Sequence, residues 1–153
     1  MLGSEYTSQD CSIARALEAV GERWTLLVVR ELLRRPRRFV ELERSLGIAK
    51  NVLSARLDKL VALNIAERVP TRDGDGWSAY RLTDRGLDLF PVISALMAWG
   101  DAHFAPQGAP AVFEHVCGQP TGHRLVCTFC DQPVDAATVR AVAGPGYARN
   151  ASG

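Results

Sequence analysis

The stretch of sequence that decides the fold lies between residues 48 and 63 and reads Ile48-Ala-Lys-Asn-Val-Leu-Ser-Ala-Arg-Leu-Asp-Lys-Leu-Val-Ala-Leu63. Its apolar residues recur at helical spacing and predict an amphipathic helix whose apolar stripe contains Leu53, Leu57, Leu60 and Val61. The opposite side is small and polar and is flanked by cations: Asn51, Ser54, Ala55 and Asp58, then Lys50, Arg56 and Lys59. This chemistry suits a helix that binds DNA, since short amide and hydroxyl groups reach base edges and cations bind phosphates. An ordinary surface helix packed on a core is the alternative interpretation.

A shorter helix precedes this stretch, and a glycine separates the two. Phe39, Leu42 and Leu46 recur at helical spacing, and Gly47 provides a sharp turn. The pattern of a helix-turn-helix motif is a short helix, then a glycine turn, then an amphipathic helix. In that motif the second helix enters the major groove and the first crosses the DNA backbone.

The regions around this motif predict the rest of a winged domain. Upstream, residues 11–20 and 24–35 predict two helices, and residues 37–39 predict a very short strand. Downstream, strands at residues 65–70 and 77–82 flank a polar turn with two glycines and predict a hairpin, which in this position is a wing. A long apolar helix follows, starting at the N-cap Thr83, kinked at Pro91 and reaching Phe104. Its excess of apolar surface predicts a dimer interface; the alternative is that the helix only covers its own core.

A length of 153 residues fits one domain, or one domain with an appendage, and the composition, 47% hydrophobic and 23% charged, is ordinary for a soluble globular protein. The net charge of +1 excludes a global positive field. Residues 30–59, however, hold nine Lys or Arg and four Asp or Glu, a local net charge of +5. This basic region is either a nucleic-acid binding surface or an ordinary solvated charged surface. No apolar run reaches the ~18 residues of a membrane span, and no secretory signal is visible. We therefore expect a cytoplasmic protein whose cysteines are thiols or metal ligands.

The chain after Phe104 has a different composition and holds three of the four cysteines. We expect a mobile segment at residues 1–10, the DNA-binding and dimerisation domain at 11–104, a Cys/His appendage at 105–143 and a disordered tail at 144–153. The fold class is thus mainly α with a small β-hairpin: a winged helix-turn-helix domain with a short C-terminal Cys/His-containing tail.

The appendage contains a candidate zinc site. Cys127-x-x-Cys130 is a compact thiolate chelate, and a third cysteine, Cys117, with one histidine would complete a tetrahedral Zn²⁺ site. His115 and His123 compete for the fourth position, with His115 preferred. Reduced cysteines without metal and a redox pair are the alternatives, and no other cofactor is expected.

Six motifs together resemble the HxlR-type winged helix-turn-helix regulators, a branch of the MarR-like group. They span about residues 10–103 and read Cys11-x-x-Ala-Arg-x-Leu17, Gly21-x-Arg-Trp-Thr-Leu-Leu27, Arg30-Glu-Leu-Leu33, Arg37-Arg-Phe39-x-Glu-Leu42, Leu53-Ser-x-Arg-Leu57-x-x-Leu60 and Tyr80-Arg-Leu-Thr-x-x-Gly86. The resemblance implies a homodimeric transcription factor that binds inverted-repeat operators in double-stranded DNA, with the wing on the flanking backbone.

The residues suggest how such a protein would contact DNA. We expect base-facing side chains on the amphipathic helix, namely Lys50, Asn51, Ser54 and Arg56. Arg56 has an alternative role as an ion-pair partner of Glu41 or Glu43. Phosphates would be held by Arg37, Arg38, Lys59, Arg72 and Arg81.

Signals and competing functions remain open at the level of sequence. Cys11 opens a predicted helix, where partial positive charge favours a reactive thiolate, so it is a candidate redox sensor; the alternative is a small residue without redox work. A small-molecule or oxidant effector is therefore a candidate partner. A winged-helix protein-interaction module without specific DNA binding is the competing function. Enzyme motifs are absent from the sequence, so we expect no enzyme.

Overall fold

The computed structural model describes Tyr6, residues 11–71 and residues 76–145. Within these residues the elements, in chain order, are α1 (Ser12–Val20), α2 (Thr25–Arg34), β1 (Arg37–Arg38), α3 (Phe39–Leu46), α4 (Lys50–Ala62), β2 (Ala66–Pro70), β3 (Ser78–Leu82), α5 (Asp84–Leu87) and α6 (Phe90–Phe104). The predicted fold class, a mainly α winged helix-turn-helix with a β-hairpin, is confirmed. Over the described part of the chain, none of the helices has the length and apolar character to span a membrane.

Helix α4 is held by the apolar stripe that the sequence predicts. Leu53, Leu57 and Leu60 have no exposed surface, and α4 packs against α2, α3 and β2. Burying one leucine side chain completely contributes about 1.5–3 kcal/mol, so these three residues are a large part of what fixes this helix. Val61, the fourth member of the predicted stripe, is only half-buried.

The start of α3 is capped by a carboxylate. Glu41 accepts a hydrogen bond from the Arg38 N–H at 2.7 Å and pairs with the Arg35 guanidinium at 2.6 Å. The bond from Arg35, and after it the bond from the Arg38 N–H, lowers the pKa of Glu41 below its ordinary value. The carboxylate therefore remains charged at neutral pH and holds the first turn of the helix.

The turn between α3 and α4 depends on a glycine. Gly47 adopts a left-handed conformation with φ 61°, and its N–H donates to the Glu43 carbonyl at 2.9 Å, which ends α3. Glycine adopts this region without steric cost. The helix-turn-helix therefore has the turn that the sequence predicts.

The wing belongs to a three-stranded antiparallel sheet with the order β1-β3-β2. The predicted hairpin forms by pairing of β2 with β3, in a register that places Glu67 opposite Arg81. The two-residue β1 adds to the other edge of β3, where Arg37 is opposite Tyr80. The predicted phosphate contact Arg72 lies outside the described residues.

One predicted helix proved to be two. Thr83 caps α5 as expected, because its hydroxyl accepts a hydrogen bond from the Gly86 N–H at 3.3 Å. However, α5 ends at Leu87 and α6 begins at Phe90, so the prediction of a single helix kinked at Pro91 is wrong. Pro91 instead lies in the first turn of α6, where its lack of an N–H removes no helical hydrogen bond.

The chain divides by its internal contacts into two compact units, Met1–Ile93 and Ser94–Gly153. The second unit contains most of α6, and beyond α6 its described residues form two isolated β-bridges, Glu114–Pro120 and Val126–Pro133. The predicted division at residue 105 rests on composition and stays a prediction. The segments predicted to be mobile or disordered, 1–10 and 144–153, lie largely outside the described residues.

Candidate nucleic-acid interface

The face of α4 opposite the leucines is open at its amino-terminal end. Lys50, Asn51, Ser54, Ala55 and Asp58 are all exposed. Within the described residues, the side chains of Lys50 and Asn51 have no hydrogen-bond or ion-pair partner, and the Ser54 hydroxyl makes only a long bond of 3.4 Å to Asp58. Three predicted base-facing residues thus lie together on one accessible surface, which we call the α4 face.

Two further predicted contacts on α4 are paired with a residue outside the motif. Arg56 forms an ion pair with Glu22 and donates to the Arg23 carbonyl at 3.3 Å. Lys59 pairs with the same Glu22 carboxylate at 3.0 Å. The expected alternative partners of Arg56, Glu41 and Glu43, are therefore wrong, because Arg56 extends to the connection between α1 and α2. These two cations attach α4 to that connection.

Arg37 also has an internal partner. Its guanidinium pairs at 3.1 Å with Glu31, whose other oxygen is 3.0 Å from Arg30. The Glu31 side chain is 8% exposed and that of Arg37 is 16% exposed. A buried carboxylate needs compensating cations, so this arrangement gives Arg37 a structural role at the edge of the sheet.

The wing carries two cations that pair with acidic residues. Arg81 pairs with Glu67 at 2.7 Å on the exposed surface of the hairpin. Arg68, which the sequence analysis did not select, pairs with Asp58 of α4 at 2.8 Å and lies over the Tyr80 ring at 5.5 Å. The exposed pair between Arg68 and Asp58 links the wing to α4.

A groove beside the wing brings more of the predicted cations together. It has a volume of about 500 Å³, and its lining includes Arg35, Arg38 and Arg81 together with Glu41. Two predicted phosphate contacts, Arg38 and Arg81, therefore share one open surface.

Sequence reasoning missed the acidic partners of these cations. Glu31 carried a signal, because it is the lone acid in the otherwise apolar and buried part of α2. Glu22 carried none, since it lies in a connection and is more than thirty positions from both of its partners.

The cysteines are free and lie in different parts of the fold. Cys11 is half-buried at the N-cap of α1, and Cys127 is half-buried in the tail, where Cys117 and Cys130 are exposed. Backbone N–H groups of Phe129 and Cys130 bond to the Cys127 sulfur and lower the pKa of that thiol. Among the described residues no three His, Cys, Asp or Glu side chains are grouped as metal ligands. The predicted zinc site at Cys117, Cys127, Cys130 and His115 stays a prediction.

Fold and surface define the class of protein: a winged helix-turn-helix with an exposed polar face on its second motif helix. Residues 19–108 match the sequence model of the HxlR-like helix-turn-helix family. The chain belongs to this family, and it is a transcriptional regulator of the helix-turn-helix type.

Individual relatives and solved structures agree with this assignment. The chain is 46% identical over 138 residues to MT3179, an uncharacterized HTH-type transcriptional regulator of Mycobacterium tuberculosis strain CDC 1551, covering 89% of this chain and 87% of that protein. It is similar to the crystal structure of PA1607, a candidate transcription factor, with a TM-score of 0.80 and 35% identity over 90% of this chain and 98% of that one. It is also similar to the reduced form of the transcriptional regulator YodB from Bacillus subtilis, with a TM-score of 0.55, 29% identity and coverage of 64% and 98%.

The ion pairs of Glu22 give a prediction about stability. Glu22→Gln leaves Arg56 and Lys59 without their shared carboxylate and should lower the free energy of unfolding by about 1 kcal/mol, since the pairs are partly exposed. Urea denaturation followed by helical circular dichroism measures this change.

Asp88→Asn is the matched control, because Asp88 is exposed in the connection between α5 and α6 and should change stability by less than about 0.5 kcal/mol. Equal effects of the two substitutions would contradict the role given to Glu22.

Proposed function

We propose that this regulator acts as a homodimer on an inverted-repeat operator in double-stranded DNA, with α4 in the major groove of each half-site. The observation that carries the proposal is the α4 face: its polar side chains are exposed while Leu53, Leu57 and Leu60 on the opposite side are fully buried. A helix held in this way presents a fixed pattern of donors and acceptors to base edges. Because we assign genomic DNA as its ligand, we place the protein in the cytoplasm.

Base readout is assigned to the amino-terminal end of α4. Asn51 carries the amide geometry that pairs with adenine, Ser54 offers a short hydroxyl, and Lys50 can reach guanine or a phosphate. Arg56 and Lys59 are assigned a positioning role, because both pair with Glu22. We therefore expect Arg56 and Lys59 to hold α4 in place and not to contact the DNA directly.

Phosphate contacts are assigned to the wing and its groove. Arg81 is exposed, and the groove that it shares with Arg38 lies between the start of α3 and the wing. The negative charges of Glu41, which lines the groove, and of Glu67, which pairs with Arg81, moderate the positive potential there. Arg37 is assigned to the sheet edge because it is largely buried against Glu31.

The dimer is supported by exposed apolar surface on two helices. Ile13 of α1 is 70% exposed, and in α6 Trp99 is 57% exposed, Leu96 is 48% exposed and Phe104 is 71% exposed. On each helix, taken by itself, such exposed apolar side chains are typical of an interaction site. A second copy of the chain is the partner that an inverted repeat requires, since operator symmetry mirrors protein symmetry.

A signal could act through Cys11, which lies at the N-cap of the exposed helix α1. Oxidation or alkylation of this thiol would alter a helix that we assign to the dimer, and so would change operator affinity. YodB, which the chain resembles, has been solved in a reduced and a diamide-treated form. This role for Cys11 is part of the proposal.

Substitutions on the α4 face and on the wing should have different effects on DNA binding. Asn51→Ala should lose about 1–3 kcal/mol of discrimination at one base pair, and Ser54→Ala, which removes a single hydroxyl contact, should lose less. Arg81→Ala should weaken binding to all duplexes alike and reduce the salt slope by about one. Fluorescence anisotropy with an operator selected from random duplexes, and with its scrambled version, measures both effects over a range of salt concentrations.

The control for these variants is Arg140→Ala, which removes an exposed cation of the tail and should change neither quantity. Equal loss for selected and scrambled DNA in Asn51→Ala would reject base readout by α4. A wild-type chain that selects no sequence at all would favour a protein-interaction module.

Charge placed in α6 should separate the subunits. The double variant Leu96→Asp with Trp99→Asp places two carboxylates on the exposed apolar surface, where burial against a partner would be costly. Sedimentation velocity should give about twice the chain mass of 16.7 kDa for the wild type and the chain mass for the variant.

Val40→Asp is the matched control, because Val40 of α3 is 57% exposed but lies on neither α1 nor α6. It should remain dimeric. A wild-type monomer, or a dimeric double variant, would overturn the assignment of this interface.

A further inference from the structure

Two turns in the tail have closely related sequences. The first turn reads Glu114-His-Val-Cys-Gly-Gln-Pro120, and the second turn reads Val126-Cys-Thr-Phe-Cys-Asp-Gln-Pro133. Each is closed by an antiparallel bridge between its first residue and its final proline. Each turn carries two side chains of types that can bind metals, His115 and Cys117 in the first and Cys127 and Cys130 in the second, and each ends in a Gln-Pro pair. The second turn is longer by one residue.

The backbone hydrogen bonds of the two turns also correspond. In the first turn the His115 N–H donates to the Gln119 carbonyl at 2.8 Å, and in the second the Cys127 N–H donates to the Gln132 carbonyl at 2.9 Å. The two turns also match just outside the bridges. There the Thr121 N–H donates to the Phe113 carbonyl at 2.7 Å, and the Val134 N–H donates to the Leu125 carbonyl at 2.9 Å. The first turn is therefore a shortened copy of the second.

The residue after the second metal-binding side chain completes the correspondence. Gly118 follows Cys117 with φ 80°, and Asp131 follows Cys130 with φ 55°. Their N–H groups donate to the carbonyls of the first metal-binding residues, His115 and Cys127, at 2.8 Å in both turns. A left-handed residue at this point reverses the chain, so that the side chains of both metal-binding residues can converge.

In this correspondence, His115 of the first turn matches Cys127 of the second, and Cys117 matches Cys130. The side chains behave alike, because the Cys117 N–H donates to His115 Nδ1 at 3.3 Å and the Cys130 N–H donates to the Cys127 sulfur. In both turns the first metal-binding side chain is thus oriented by the backbone of the second. A neutral imidazole binds a metal through the nitrogen that carries no proton, which in this arrangement is Nδ1, so a metal at His115 would replace the hydrogen bond from the Cys117 N–H.

We propose that the two turns are the two halves of one Zn²⁺ site, formed by His115 and Cys117 from the first turn and Cys127 and Cys130 from the second. Three thiolates and one imidazole form a ligand set that zinc binds in tetrahedral geometry. His123 is excluded because it lies outside both turns. Binding releases three thiol protons to solvent and leaves the ligand set and metal with a net charge of −1.

Among the described residues the four proposed ligands are not gathered into one group of three or more. Closure of the site therefore brings one turn onto the other, and metal binding is coupled to folding of the tail. The tail has little other means of becoming ordered: Val116 is 98% exposed and Phe129 is 97% exposed. A structural metal supplies the stability that a core this small lacks.

The test is the zinc content of the full chain, purified without a His-tag under reducing conditions. The wild type should hold about one zinc per chain. His115→Ala, Cys117→Ser and Cys130→Ser should each lose most of it. Cobalt(II) in place of zinc should give the visible bands of tetrahedral thiolate coordination in the wild type, and these should change in the His115→Ala protein.

His123→Ala and Cys11→Ser are the matched controls, and both should retain the metal. Unchanged helical circular dichroism in every variant shows that the loss is local to the tail. Three results would overturn the proposal: a wild type without zinc, zinc that survives both His115→Ala and Cys117→Ser, and a Cys127–Cys130 disulfide that persists when zinc is supplied.

Discussion

Burial of Leu53, Leu57 and Leu60 is the constraint on which the rest of the structure depends. These side chains have no exposed surface and pack α4 against α2, α3 and β2. Truncation of one such leucine to alanine typically costs about 2–5 kcal/mol, so the rotation of α4 about its own axis is strongly fixed. That rotation decides which residues face outward, and it is why Lys50, Asn51 and Ser54 form one accessible surface.

Charge then separates the basic residues near α4 into two groups. Arg56 and Lys59 share Glu22, and Arg30 and Arg37 share the buried Glu31, so these four cations stabilise the frame of the helix-turn-helix. Lys50 on α4 and Arg81 on the wing are exposed and can approach DNA phosphates without losing a buried partner. The excess of positive charge in the sequence therefore overstates the charge that is available to a ligand.

The sequence predicted those parts of the structure that depend on local chemistry. The period of the leucines predicted α4, Gly47 predicted the turn, and Thr83 predicted the cap of α5. The break between α5 and α6 was missed because the apolar run is continuous and Pro91 is equally compatible with a kink and with a first turn. The Glu22 pairs were missed because they join distant parts of the chain, and helical periodicity carries no information about them. In the tail, CxxC and the repeated Gln-Pro pair are visible in the sequence, but the backbone hydrogen bonds were needed to show that the two turns have the same conformation.

The central claim is that the exposed side of α4 lies against base edges in the operator, and photo-crosslinking tests it most directly. A photo-crosslinking amino acid is placed at Ala55, which is exposed between the proposed contacts, and in a control protein at Arg140 of the tail, which is also exposed. Both proteins are irradiated on a duplex that the wild type has selected. The account predicts adducts at major-groove positions of both half-sites from residue 55 and none from residue 140. Equal labelling from the two positions, or no adduct from residue 55 on a duplex that is demonstrably bound, would contradict it.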